Sequence, residues 1–199
     1  LMSAVSGILD IIYQGILAGI GNSLVSESKE KNRKDFDKFF LINAWIVGWC
    51  TVCFLCLYQP MIELWMGKEL MLPFNSVILL CIYFYIWKIR QTVLVYKDAA
   101  GMWNIDNKKP YIEIIGNLTL NIILVNWIGI DGVIISTIVS MLCISLIWET
   151  KVFFKEYFNE TTRSYYKKLL LYIFITIIGC VLTYIICCFI RIGGITGFV

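Results

Sequence analysis

Three groups of side chains in this chain could do chemistry. The first is Lys88, Arg90 and Lys97, carried with Gln91 at the end of an aromatic, apolar segment. Arg90 and Lys97 are seven residues apart and share a helical face, while Lys88 points elsewhere. An arginine pairs with phosphate through two parallel hydrogen bonds from a planar fork, whereas a lysine acts as a point charge, so Arg90 is the better anion ligand. Charge is costly at membrane depth, which marks such a residue as functional unless it merely snorkels to lipid headgroups from a position near the helix end. The second group, Lys109, Glu113, Asn117 and Asn121, recurs every four residues and draws one polar line along a helix. That line either lines a wet cavity or glues two helices together at about 1 kcal/mol or less per amide. The third is Asp10 with Gln14, on one face of the first apolar segment. Asp10 faces a protein interior or wet cavity, or else sits at the opposite interface. Ser136 and Ser140 form a smaller stripe that reads as packing.

The elements that must position these groups follow from composition. Hydrophobic residues make up 59% of the 199 and charged residues 16%, against roughly 45–50% and 25% in soluble domains. The chain is therefore an integral membrane protein. Its apolar runs are long enough to cross a hydrocarbon layer about 30 Å thick, and they predict an all-α, polytopic bundle of six transmembrane helices. The expected spans are 2–24, 39–58, 71–96, 110–126, 131–150 and 168–190. Pro110 suits the first turn of the fourth helix, and Gly129, Asp131 and Gly132 predict a tight turn before the fifth. Alternate connections carry 15 of the 17 Lys and Arg residues. By the positive-inside rule this places 25–38, 97–109 and 151–167 in the cytoplasm. The sequon at Asn159, Glu160 and Thr161 then lies on the wrong side for glycosylation.

Other chemistries find no support. Eight cysteines occur without any histidine. Cys50, Cys53 and Cys56 recur every three residues inside a lipid-like helix, where cysteine acts as a small hydrophobe rather than a metal ligand. Cys81, Cys143, Cys180, Cys187 and Cys188 also lie in apolar runs. No phosphate loop, zinc-binding helix or nucleophile elbow occurs, so the sequence predicts neither an enzyme nor a cofactor, a metal or a nucleic-acid partner. The chain opens at Leu1 and its first basic residue is Lys29, which argues against a signal peptide. An apolar helix already under way at Leu1, and a tail with Gly193, Gly194 and Gly197 that reads as a connection, suggest a fragment open at both ends.

Four runs carry a resemblance: 19–49, 60–72, 90–125 and 129–158, and within them "AAGMW" at 99–103 and "GIDGVIISTIVS" at 129–140. Together they resemble the C-terminal half of Wzx-type bacterial polysaccharide flippases, of the multidrug, oligosaccharide-lipid and polysaccharide exporter superfamily. The resemblance spans essentially the whole chain through the order of small patterns, and no single motif is diagnostic. It implies that residues 1–199 are the C-terminal bundle of a two-bundle, alternating-access transporter. The implied cargo is an undecaprenyl-diphosphate-linked oligosaccharide, moved from the inner to the outer leaflet of the bacterial cytoplasmic membrane for capsule, exopolysaccharide or O-antigen assembly. Under the resemblance Arg90 and Lys97 hold the diphosphate, Asn117, Asn121 and Gln14 line the sugar path, and Asp10 or Glu113 binds a coupling ion. The implied partners are membrane lipid, the missing N-terminal half, a polysaccharide polymerase and a chain-length regulator.

Two rivals remain. A multidrug cation antiporter of the same superfamily would prefer carboxylates in its cavity, and near the third helix basic residues outnumber acids in the sequence. An oligosaccharide polymerase would show a long outer loop with paired arginines, and no such loop is predicted. With the partner bundle missing, the isolated 199-residue chain is expected to purify as a polydisperse, unstable species on size-exclusion chromatography; a monodisperse, active product would contradict the fragment reading.

Overall fold

A computed structural model describes residues 1–192, with side chains to Cys187. Every regular element among the described residues is helical, and six helices are long and apolar enough to cross a membrane. They are α1 (Met2–Ser26), α2 (Lys29–Met66), α3 (Phe74–Ala99), α4 (Lys109–Ile128), α5 (Ile130–Phe158) and α6 (Arg163–Ile192). The protein is an all-α polytopic membrane bundle. The expected connection over Gly193, Gly194 and Gly197 lies outside the described residues, as does the side chain of Cys188.

The hub is α3. It buries Val77, Cys81, Phe84, Ile89, Val93 and Tyr96 and packs against α1, α2 and α5. Helix α4 leans on α5, and α6 on α2. Their outer faces keep Ile115, Leu118 and Trp127, and Leu170 and Phe174, exposed. Such apolar surface is costly in water and costs nothing against lipid tails. The α4–α5 turn is tight: Gly129 has φ 65°, and a Cβ on Gly132 would collide with the Leu124 carbonyl.

The helix ends differ from those predicted, toward longer helices except at the start of α3. The charged segment 25–38, expected as a loop, breaks only at Glu27 and Ser28. Helix α2 begins at Lys29 because the Ser28 side chain caps it, accepting from the Lys31 N–H at 3.3 Å. The charges that suggested a loop fall into i,i+4 pairs, Glu27–Lys31, Glu30–Lys34 and Arg33–Asp37, a spacing at which opposite charges face each other along a helix. At the far end α2 continues through Pro60 and stops at Gly67, φ 87°. Helix α3 starts after Pro73 rather than at Met71 and runs to Ala99. Helix α5 does not end near 150 but reaches Phe158, where Asn159 turns left-handed at φ 56°. Helix α6 starts at Arg163, ahead of the expected 168.

These extensions build an aromatic plug at the end of the bundle that carries the charged connections. Phe36 of α2 is fully buried, with ring centroids of Tyr96 at 5.0 Å, Phe154 at 5.5 Å and Phe153 at 5.7 Å. Arg33 lies over the Phe154 ring at 5.0 Å and reaches Asp37 at 2.6 Å and Glu160 at 3.0 Å. Asn32 donates to the Ser23 carbonyl at 3.0 Å and to the Tyr157 hydroxyl at 2.9 Å, which donates in turn to the Leu24 carbonyl at 3.0 Å. Helices α1, α2, α3, α5 and α6 thus meet at one end. Phe36→Ala is expected to lower stability by about 3–5 kcal/mol, read by denaturant unfolding in detergent micelles; a loss below about 1 kcal/mol would show that the plug does not hold the helices together.

Candidate functional site

Helix α3 spans 26 residues, about 39 Å at 1.5 Å per residue, so Lys88 and Arg90 lie close to its midpoint. Arg90 is nine residues short of Ala99, about 14 Å along the axis. At that depth a cation must find a partner or deform the membrane. Each cation on α3 has found one.

Lys88 is 0% exposed; its ammonium donates to Asp10 of α1 at 2.7 Å and to the Ser6 carbonyl at 3.4 Å, beside the Trp87 ring. Asp10 keeps 38% of its side chain exposed, and so joins the buried interior to the open face of α1. One turn further along, Tyr13 donates to Asn43 of α2 at 2.6 Å, and Asn43 donates to the Lys88 carbonyl at 3.0 Å and to Thr92 at 2.9 Å. This polar network locks α1, α2 and α3 into register around the Lys88–Asp10 pair.

Arg90 turns toward α5, where its Nε lies 2.9 Å from Glu149 Oε2. Glu149 is 0% exposed and also contacts Lys109 at the start of α4, and Lys109 in turn pairs with Glu113 at 3.1 Å. The result is a chain of alternating charge, Arg90, Glu149, Lys109 and Glu113, crossing three helices. Lys97 pairs with Asp106 and pins the α3–α4 connection onto its own helix.

The predicted site residues therefore divide. Arg90 is held inside the protein by Glu149 and does not snorkel. Lys97, expected beside it as a second anion ligand, sits on the same helix but is committed to Asp106. Glu113 joins the charge chain through Lys109. Asn117 and Asn121 do not: Asn121 donates to Asn117 at 2.5 Å and accepts from Ser136 of α5. These amides join α4 to α5, the gluing arrangement of the two open in the sequence. Asp10 meets Lys88, and Gln14 remains exposed one turn away.

Glu149, Asp106 and Asn43 had not been singled out from sequence, and Lys88 and Lys109, although in the polar groups, had been given no partner or role. Glu149 stood at the very end of the expected span 131–150, because the apolar run stops at Trp148. Only the helical continuation to Phe158 puts it inside the bundle. Asn43 carried a usable signal, as the sole carboxamide in the charge-free run 39–58. The excess of basic residues near α3 also disappears in the packed interior, where Lys88, Arg90, Lys97 and Lys109 are matched by Asp10, Glu149, Asp106 and Glu113.

Among the described residues no cluster of histidine, cysteine and carboxylate is arranged to hold a metal ion. Cys50, Cys53 and Cys56 are half-buried free thiols on α2. Comparison with protein-family models, curated proteins and solved structures found no match.

Removing one member of a buried pair strands the other. Asp10→Asn should therefore cost about 3 kcal/mol, near the lower end of the range because Asp10 is partly exposed, and adding Lys88→Met should return most of it. Denaturant unfolding of both variants in micelles checks this; equal stability of Asp10→Asn and the parent would mean that Lys88 does not depend on Asp10.

Proposed function

We propose that this chain is one bundle of a transporter that moves a lipid-linked oligosaccharide, carried on a polyprenyl diphosphate, across the bacterial cytoplasmic membrane. The observation that carries the reading is the chain of alternating charge from Arg90 through Glu149 and Lys109 to Glu113, at or near membrane depth in an otherwise apolar bundle. Buried ion pairs are seldom retained for stability, because apolar residues of the same volume do as well or better. A path for a charged headgroup gives them a reason. A diphosphate entering the bundle would exchange one carboxylate partner after another along this chain, so its charge is met at each step while the polyprenyl tail stays in lipid.

The resemblance of the order of sequence patterns to that of Wzx-type flippases supports the same reading, and so does the six-helix architecture with its charged connections gathered at one end. In this reading Arg90 holds the diphosphate, Lys97 stands nearer the cytoplasmic entrance, Gln14 and Asp10 line the open face of α1, and the charged ends of the helices face the cytoplasm.

A second reading, export of an organic cation, is favoured by one observation: each buried cation is matched by an acid, and Asp10 and Glu113 keep 38% and 26% of their side chains exposed. Partly open carboxylates suit a cationic cargo or a coupling ion. The two readings separate on Arg90. In the complete protein, Arg90→Ala leaves Glu149 its contact with Lys109, so folding is retained while polymer export falls by at least about tenfold, the loss of one charge-assisted contact. Arg90→Lys, which keeps charge but not the fork, should fall between. Full polymer production by Arg90→Ala in cells lacking the native exporter would overturn the diphosphate assignment.

A further inference from the structure

Glu149 has the surroundings of a bound anion. Its carboxylate is fully buried and touches a guanidinium from α3 and an ammonium from α4, Arg90 and Lys109. One planar fork and one point charge converging from separate helices make a donor set for a phosphate-type oxyanion. Glu149 fills it from a third helix.

The fit is imperfect. Arg90 Nε and Glu149 Oε2 are 2.9 Å apart, yet neither atom makes a hydrogen bond, so the N–H is not aimed at the oxygen. On the same helix Ser140 Oγ and Trp148 Nε1 are also buried without a hydrogen-bond partner. Buried polar atoms left unpaired are costly, so this segment is held less firmly in its present arrangement than a fully paired one would be.

The backbone supplies a way to leave that arrangement. Residues 147–153 form a short α-helical stretch between two π-helical segments, 141–146 and 154–158. A π turn holds one residue more than an α turn, is energetically poorer, and recurs at functional sites. Converting one of them to α geometry shifts the register by a residue, which turns 147–153 by about 100°. Glu149 would leave both cations.

We propose that Arg90 and Lys109 form a diphosphate-class oxyanion site that Glu149 occupies here as an internal carboxylate ligand, and that rotation of 147–153 between the two π segments opens it. The proposal rests on the transport reading for the nature of the anion, and adds to it the residues of the site and the group that closes it. No external anion binds while Glu149 is seated. An arriving diphosphate displaces it, which couples headgroup capture to a rotation of α5.

The test is direct binding by the full-length protein in lipid nanodiscs, with inorganic pyrophosphate and farnesyl diphosphate as probes. Glu149→Gln removes the competing charge and should bind pyrophosphate about tenfold more tightly than the parent, the scale of one charge-assisted contact. Adding Arg90→Ala or Lys109→Ala should abolish the gain. Glu149→Asp, which keeps the charge and hence the fold but is too short to span both cations, should give a smaller gain in the same direction. Tighter binding of farnesyl diphosphate identifies the ligand as lipid-borne, and equal binding as a free diphosphate; either keeps the site. Parental affinity in both Glu149 variants, or a gain that survives loss of both cations, overturns it. Export by the parent reports separately: a gain in affinity without export keeps the site and drops the transporter, and export without a gain does the reverse.

Discussion

The structure depends on the cost of bringing charge into an apolar bundle. Three cations project from α3 and one from the start of α4, and at these positions neither water nor lipid headgroups can solvate them fully. Each must be met by a carboxylate. Lys88 draws in α1 through Asp10, Arg90 draws in α5 through Glu149, Lys97 folds the α3–α4 connection back through Asp106, and Lys109 ties α4 to α5. Apolar contact alone gives helices in lipid little reason to choose one neighbour or register over another. The pairs supply the choice, and α3 is the hub because it carries most of them.

The two ends of the bundle are built differently. At the end with the charged connections, the rings around Phe36 and the Arg33 and Asn32 networks hold five helices together. At the other end the described polar contacts between segments are sparser, as in the Ser76 to Asp131 hydrogen bond at 2.6 Å and the Gln59 to Leu72 carbonyl bond at 2.6 Å. The charge chain begins near the midpoint of α3 and runs toward the sealed end. The π-helical segments of α5 place the adjustable backbone beside the buried carboxylate, where a small register shift changes which charges face each other.

Much of the fold was legible because hydropathy is a property of single segments. Six apolar runs gave six helices, and Pro110 and Gly129 marked a start and a turn at nearly the right places, whereas Pro73, inside the expected span 71–96, stands just ahead of the third helix. The helix ends were not legible: the same charges that mark a loop also stabilise a helix extended beyond the membrane, and nothing in the run from Lys29 to Lys38 distinguishes the two without the Ser28 cap. The site was legible one side at a time. Arg90, Lys97, Asp10 and Glu113 stand out as charges in apolar surroundings, but Lys88 and Asp10 are 78 residues apart, and a single sequence holds no record of which charge answers which. Glu149 was hidden twice, by lying at the edge of an apolar run and by depending on a helix extension that aromatic packing, rather than hydropathy, maintains.

The most direct measurement of the central claim is translocation itself. The full-length protein would be reconstituted into vesicles containing a fluorescent polyprenyl-diphosphate oligosaccharide, and the fraction of label open to a membrane-impermeant quencher followed with time. The expected result is rapid exchange of label between leaflets, slowed when Arg90 is replaced by alanine and unaffected by organic cations. Exchange no faster than in protein-free vesicles, alongside uptake of an organic cation that depends on Asp10, would contradict it and leave the buried charges to the rival reading.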